Sequence, residues 1–264
     1  MRITTWNVNS VRQRLEHVLG FLKKEEPDVL CLQETKCLDD AFPRLEIEAA
    51  GYSVQTNGQK TFNGVAILSK RPLEDVRRGL PGADPESDLQ ARYLEGVVPT
   101  PSGAVRVASI YLPNGNPVGT EKFPYKLAWF DRLIRHSREL LAHEEPLVLG
   151  GDYNVIPEPR DAANPAAWVN DALFQPETRG KYRELLHLGL TDALRAGDDR
   201  PGLYTFWDYQ AGSWQRNDGI RIDHLVLSPQ AGDRLKQTVI HKNERGAEKP
   251  SDHVPVSVDL DIAA

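Results

Sequence analysis

Short apolar runs with β-branched residues recur along the chain, and stretches with helically spaced apolar residues lie between some of them. The apolar runs predict strands over 2–6, 28–33, 64–70, 93–98, 104–112, 147–150, 220–228, 236–241 and 254–261. The helical spacing predicts helices over 10–25, 122–144 and 179–188. Since no linker or short repeat interrupts this order, it predicts one layered α/β domain over residues 1–264, with sheets packed face to face and helices outside.

Length and composition narrow the class of protein. A chain of 264 residues can bury one large core, and 40% hydrophobic and 27% charged residues are ordinary values for a globular domain. No apolar run approaches the roughly 18 residues that a membrane helix needs, and the opening stretch MRITTWNVNS lacks the apolar segment of a signal peptide. We therefore expect a cytoplasmic protein that does not bind membranes.

The net charge and the two cysteines add little to the assignment of class and location. The net charge of −6 argues weakly against unspecific coating of nucleic acid, but it does not exclude a nuclease whose carboxylates hold a cation. Cys31 and Cys37 fit no zinc spacing, and two thiols without a disulfide framework suit a reducing compartment.

Polar side chains occur repeatedly where predicted strands end. Taken singly, each has a commoner structural explanation, such as a turn, a helix cap or ordinary packing. Taken together, carboxylates, amides and one histidine suit Mg²⁺ or Mn²⁺ and metal-assisted attack of water on a phosphodiester. The residues in question are Asn7, Asn9, Glu34, Tyr111, Asn114, Asp152, Asn154, Asp223, Asp252 and His253.

Ten motifs follow one another along the chain, namely WNVNSVR, LQETK, NGVAILSK, IYLPNG, KFPYKLAWFDRL, LGGDYN, LTDALR, YTFWDY, NDGIRIDHLVLS and KPSDHVPV. In this order they resemble the exonuclease III family, the bacterial branch of the apurinic/apyrimidinic (AP) endonucleases within the endonuclease/exonuclease/phosphatase superfamily. The resemblance extends from residue 1 to about 262, and it implies a four-layered α/β sandwich of two face-to-face mixed β-sheets flanked by helices. It also implies that the glycines before Asp152 leave room for substrate.

The resemblance implies a metal site that holds Mg²⁺, with Mn²⁺ as the alternative ion. Glu34 is similar to the principal metal carboxylate of the family, with Asn7 beside it and Asp252 as a further ligand. Asp152 is similar to the residue that activates the attacking water or protonates the leaving group. Asn154 would orient Asp152 or the phosphate, and both residues could contact a second ion.

The remaining catalytic residues are also assigned through the resemblance. His253 is similar to the group that binds the phosphate oxygen as negative charge develops, and Asp223 would fix its tautomer. Tyr111 matches a phenol placed against the phosphate, and Asn114 would hold the backbone nearby.

DNA is the substrate that the resemblance implies. Phe206, Trp207 and Ile220 occupy positions similar to the wall of an abasic-sugar pocket, with Trp214 and Asn217 at its border. Family members often carry an aromatic residue where this chain has Ile220, which puts the stringency of the pocket in doubt. Basic residues that could contact phosphates are Arg12, Lys36, Lys60, Arg92 and Lys122, and the stretch that could enter the duplex is 160–178, with Trp168 and Asn170.

The predicted function is cleavage 5′ to abasic sites in duplex DNA, with 3′→5′ exonuclease and 3′-phosphatase activity, by a monomer. Two alternatives stay open. The same hydrolytic site could act on RNA or a small phosphoester, because the fold alone does not determine the substrate. A noncatalytic DNA-binding protein with a decayed site is the other, and the intact set of polar residues argues against it.

Overall fold

Two six-stranded mixed sheets form the centre of the protein. The computed structural model describes residues 1–83 and 88–264. The strands in chain order are β1 (Arg2–Asn7), β2 (Val29–Gln33), β3 (Ser53–Asn57), β4 (Val65–Ser69), β5 (Glu74–Arg78), β6 (Tyr93–Thr100), β7 (Gly103–Tyr111), β8 (Leu147–Asp152), β9 (Thr191–Asp192), β10 (Asp223–Leu227), β11 (Leu235–Ile240) and β12 (Val256–Leu260). The helices are α1 (Leu15–Glu25), α2 (Arg44–Ala49), α3 (Lys122–Leu141), α4 (Pro176–Leu186), α5 (Ala193–Gly197), α6 (Ser213–Arg216) and α7 (Pro229–Gly232).

The two sheets have the same pattern of strand directions. The first sheet has the order β11-β12-β1-β2-β4-β3, and the second has the order β5-β6-β7-β8-β10-β9. In each sheet one parallel pair lies inside antiparallel neighbours, namely β1 with β2 and β7 with β8. Since the carboxyl ends of a parallel pair lie at one edge of a sheet, each sheet presents two strand ends together.

Alternating side chains of the buried strands supply separate cores on the two faces of a sheet. Val29 and Cys31 of β2 lie in the core between the sheets, whereas Leu30 and Leu32 face the core under α1 and α2. A third core lies between the second sheet and helices α3 and α4, with Trp129, Phe130, Leu133, Tyr182 and Leu185. The order helix, sheet, sheet, helix confirms the predicted four-layered sandwich.

Several predicted bounds were wrong, and three strands were missed. The first helix begins at Leu15 instead of residue 10, because Asn9 and Ser10 adopt left-handed backbone with φ of 44° and 90°. The strand predicted over 220–228 begins at Asp223. Strands β3, β5 and β9 were not predicted. β5 is an edge strand without a buried face, so its sequence carries no alternating apolar signal.

Within residues 1–83 and 88–264, none of the helices combines the length and apolar character required to cross a membrane.

Candidate active site

The polar strand ends of both sheets meet at one place. Asn7 is the last residue of β1 and Asp152 the last residue of β8, while Glu34 directly follows β2. The Asn7 Nδ2 donates to Glu34 Oε1 at 2.8 Å and to Asp152 Oδ2 at 2.9 Å. Asn7 therefore links a carboxylate of the first sheet to a carboxylate of the second.

Glu34, Asp152 and His253 could together hold a metal ion. One potential ligand atom from each lies within 4.8 Å of the other two. Glu34 is partly exposed, whereas Asp152 and His253 are buried, so the group opens to solvent on the side of Glu34. Two carboxylates suit a hard divalent cation that keeps water among its ligands.

Three residues predicted as metal ligands have other partners. The Asn7 Oδ1 accepts from the Asn9 amide, and the Asn154 Oδ1 accepts from Asn114. Asp252 accepts from the Asn9 side chain at 3.1 Å and lies outside the three-residue group found among the described residues. Ligation by Asn7, Asn154 and Asp252 therefore stays a prediction.

Glu34 is held ionised by a neighbour that was predicted to contact phosphate. Burial opposes its ionisation, but the ammonium of Lys36 and the amide of Asn7 outweigh burial and lower the pKa of Glu34. Lys36 Nζ lies 2.8 Å from Glu34 Oε2. An ionised Glu34 at neutral pH is the form that a cation requires.

Asp152 combines burial with a raised pKa. Burial raises its pKa to about 7, with Asp223 and Glu34 adding to the rise and His253 and Asn7 opposing it. The backbone N–H of Asn154 donates to Asp152 Oδ1 at 2.9 Å and fixes the carboxyl group. A carboxyl group whose pKa lies near neutrality can both accept and release a proton at working pH, which suits a general acid or base.

The Asp223 carboxylate orients His253, as the sequence analysis predicts. The Nδ1 atom lies 2.9 Å from Asp223 Oδ2, while the Nε2 atom points to Asp152 Oδ2 at 3.8 Å. Burial lowers the pKa of His253, but Asp223 and Asp152 outweigh burial and raise it to about 10. A raised pKa favours the imidazolium form, which donates a hydrogen bond from Nε2.

Thr205 is part of this arrangement, although no sequence motif pointed to it. Its hydroxyl donates to Asp223 Oδ2 at 2.6 Å and accepts from the backbone N–H groups of Ile222 and Asp223, both at 3.1 Å. Thr205 is fully buried, so its only effect on a substrate is through Asp223 and His253.

Tyr111 lies on the other side of the carboxylates. It pairs with Asp152 across β7 and β8, and the guanidinium of Arg92 lies 4.7 Å from the centre of its ring. Burial raises the pKa of Tyr111 well above its usual value, and Glu34 and Asp152 raise it further. The phenol therefore keeps its proton and can donate to an anionic phosphate.

The glycines before Asp152 serve packing between strands, so the prediction that they leave room for substrate was wrong. Both lie inside β8 and are fully buried. A Cβ at Gly151 would lie 2.0 Å from the backbone oxygen of Ile110 in β7, and one at Gly150 would lie 2.9 Å from Leu225. Glycine is required there because β7 and β10 approach β8 closely.

Phe206 lines a cleft of 390 Å³, and we call it the Phe206 cleft. The Phe206 ring packs edge-on against the His253 ring, with 4.9 Å between centroids. The cleft therefore adjoins His253. Its lining residues are Ala167, Trp168, Asp171, Phe206, Asp208, Gln210, Ala211, Ser213, Arg216, Asp218 and Ile220.

The structure separates the residues predicted to line the sugar pocket. Phe206 and Ile220 line the Phe206 cleft, but Trp207 is fully buried on the other side of the chain and cannot contact a bound nucleotide. Trp207 packs edge-on against Trp214 and donates to Asn217 Oδ1 at 3.3 Å. Trp207, Trp214 and Asn217 thus support the loop that forms one wall of the cleft.

The predicted DNA-contacting residues lie in different surroundings. Arg12, Lys60 and Lys122 are exposed, as the prediction requires, whereas Arg92 is half-buried against Tyr111. In the predicted insertion stretch, Trp168 lies half-buried in the Phe206 cleft and Asn170 is exposed. Their contacts with DNA stay a prediction.

Known proteins share this fold. Residues 4–253 match the endonuclease/exonuclease/phosphatase family. The chain is 33% identical to exodeoxyribonuclease III of Haemophilus influenzae over 267 residues, which cover 97% of this chain and 98% of that protein. It is similar to the 3′ phosphatase NExo from Neisseria bound to a product DNA hairpin, with a TM-score of 0.93, 38% identity and 99% of each chain covered. An AP endonuclease from Archaeoglobus fulgidus gives a TM-score of 0.91 and 36% identity, with 99% of this chain and 100% of that one covered.

Proposed function

This chain belongs to the endonuclease/exonuclease/phosphatase family, and within it to the exonuclease III group, and we propose that it is a divalent-metal-dependent DNA repair nuclease. Its main reaction is cleavage of duplex DNA 5′ to an abasic site, together with 3′→5′ exonuclease and 3′-phosphatase activity. The observation that carries the proposal is the group of Glu34, Asp152 and His253 within 4.8 Å, next to the Phe206 cleft.

Mg²⁺, or Mn²⁺ in its place, fits the donors of this group. Glu34 is the carboxylate that would hold the ion, because Lys36 and Asn7 lower its pKa and keep it ionised. When bound, the ion would stabilise negative charge on the phosphate oxygens.

The side chains divide the remaining work of hydrolysis. Water attacks the phosphorus atom and the bond to the leaving oxygen breaks, so one proton must leave the water and one must reach the leaving oxygen. Asp152 performs one of these transfers, with its carboxyl group held by the Asn154 amide. His253 Nε2 and the Tyr111 hydroxyl donate to the phosphate as its charge grows.

The neighbouring cleft supports DNA as the substrate. Phe206 and Ile220 give it an apolar wall beside His253, which suits a sugar that has lost its base. The related 3′ phosphatase NExo from Neisseria is bound to a product DNA hairpin. All three proposed activities place a phosphate ester of DNA at the same group.

The whole chain contributes to this function in the proposal. We expect residues 1–264 to act as a single domain, since β1 and β12 pair and the first and last strands thereby join one sheet. We also expect a monomer in solution, which light scattering of the purified protein tests directly.

The decisive assay uses duplex DNA with one tetrahydrofuran abasic analogue, with Mg²⁺, with Mn²⁺ and with EDTA. We expect cleavage with a divalent ion that leaves a 3′ hydroxyl, and none with EDTA. Asp152→Asn should lower kcat by about 100-fold or more, as expected when a general acid or base is lost.

A matched substitution controls for loss of charge. Asp131→Asn removes an exposed carboxylate of α3 that pairs with Lys181 of α4, and it should leave kcat unchanged. Cleavage that persists in EDTA would contradict metal dependence. Preference for single-stranded RNA or inositol phosphates over the abasic duplex would favour the alternative substrates.

A further inference from the structure

A lysine side chain lies fully buried beneath the active site. Lys126 is on the inner face of α3 and has 0% exposure, which is rare for an ammonium group. Burial lowers its pKa to about 7, although Asp152 and Asp171 oppose that fall. A buried amine of this kind requires hydrogen-bond acceptors at fixed positions.

Both acceptors are backbone carbonyls in the loops that carry catalytic residues. Lys126 Nζ donates to the carbonyl of Asn154 at 2.6 Å and to that of Asn114 at 3.0 Å. One carbonyl follows β8 and the other follows β7, so a single amine joins the ends of the parallel pair in the second sheet.

The same two asparagines bond to each other through their side chains. Asn114 Nδ2 donates to Asn154 Oδ1 at 3.1 Å, which closes a ring of three residues with Lys126. Asn154 in turn donates its backbone N–H to Asp152 Oδ1 at 2.9 Å. A displacement of Lys126 is therefore transmitted to the Asp152 carboxyl group through one residue.

The backbone at this ring is left-handed at two places, and only the one at Asn154 is strained, because glycine adopts positive φ freely. Asn154 has φ of 48° and Gly115 has φ of 88°. A Cβ at Gly115 would lie 2.6 Å from Lys126 Cδ, so the loop after Asn114 packs directly on the lysine stem.

We propose that Lys126 is a positioning residue that fixes Asp152 for catalysis by holding the Asn114 and Asn154 carbonyls together. The proposal rests on the nuclease function only for its kinetic readout. Lys126 touches no substrate, because its ammonium group is enclosed by the protein. Loss of its bonds should lower the rate of the chemical step and leave substrate binding nearly unchanged.

Lys126→Met tests this by keeping the length of the side chain and removing the donors. We expect kcat on the abasic duplex to fall by up to about 100-fold, because a displacement of a reacting group by about 1 Å has that effect. KM should change little. The control is Leu133→Ala, which loosens α3 in the core under the second sheet and should retain kcat wherever it is folded.

Amide hydrogen exchange gives a readout that does not depend on activity. The Asn154 N–H should exchange faster in Lys126→Met than in the wild type, and Leu133→Ala should not show this local change. If Lys126→Met fails to fold, Lys126→Gln, which retains an amide donor, takes its place with a smaller expected loss.

A double-mutant cycle with Asn114→Ala completes the test. If Lys126 acts through the ring, the combined loss in kcat is smaller than the product of the single losses. Losses that multiply, a rise in KM with unchanged kcat, or wild-type exchange of the Asn154 amide would each overturn the positioning role. A wild-type protein that cleaves no DNA, while Asn154 loosens in the variant, would instead remove the nuclease function.

Discussion

Asp223 shows that residues of the site depend on partners that are distant along the chain. It accepts from Thr205, which is 18 residues away, and it lies 2.9 Å from His253, which is 30 residues away. The carboxylate can hold the imidazole in one orientation only while its own position is fixed. Thr205 supplies that constraint, so the orientation of His253 depends on a residue that never meets the substrate.

Substitution of Thr205 by valine separates positioning from folding. Thr205→Val should lower kcat on the abasic duplex by about tenfold, equivalent to about 1.4 kcal/mol in the barrier, because Asp223 loses one of its donors. Thr4→Val is the control, since it removes a buried hydroxyl that bonds to Ser257 away from the site. Steady-state kinetics check this; equal kcat in both variants would contradict the role of Thr205.

Strand β8 shows how one element determines the geometry of the site. Its glycines allow β7 and β10 to lie close on either side, and this spacing brings Tyr111 and Asp223 into register with Asp152. The close approach of the strands is therefore a condition for the catalytic group. A side chain at Gly151 would have to displace the backbone of β7, which a packed sheet resists.

Two glycine substitutions should have opposite effects on the free energy of unfolding. Gly151→Ala should destabilise the protein by about 3 kcal/mol or more, because its Cβ meets the Ile110 oxygen at 2.0 Å. Gly20→Ala, exposed in α1 with no atom within 4 Å of the added Cβ, should stabilise it by about 0.5–1 kcal/mol. Urea unfolding measures both; a stable Gly151→Ala protein would show that β7 can move.

At the scale of the whole molecule, a buried polar network ties the segment after β8 to the second sheet. Arg221 bonds to Asp161 and to Asp192, and its guanidinium also donates to His224 Nδ1 at 3.0 Å. The His224 Nε2 donates to the Val155 carbonyl at 2.9 Å. Both ring nitrogens are thus engaged in roles that fit only the neutral imidazole.

Global stability should depend on pH through His224. Burial and then Arg221 lower its pKa from 6.5 to about 4, so between these values the unfolded chain binds a proton that the folded protein does not. This contribution to stability is complete above pH 6.5 and is lost as the pH falls towards 4, by up to about 1.4 kcal/mol per pH unit.

Denaturation midpoints from pH 7.5 to pH 4.5 measure this dependence, and His224→Gln isolates it. The variant lacks the titrating group, so its stability should fall less steeply over the same range. Equal slopes for the two proteins would assign the acid sensitivity to other groups.

The sequence by itself determined the features that depend on neighbours along the chain. Short apolar runs located the buried strands, and helical spacing located α1, α3 and α4, because the local pattern of apolar residues reflects which parts of an element are buried. The motif order also indicated the residues of the site. The edge strand β5 was not predicted, since a strand without a buried face carries no pattern of apolar residues.

Only the tertiary structure decided which side chains act together. Asn7 meets Asp152 across 145 residues because the two sheets pack face to face, and no local pattern encodes that contact. Phe206 faces the cleft while Trp207 is buried behind it, because successive residues of an extended chain point to opposite sides. The chemistry of each residue follows from the sequence, whereas its partners follow from the packing of distant elements.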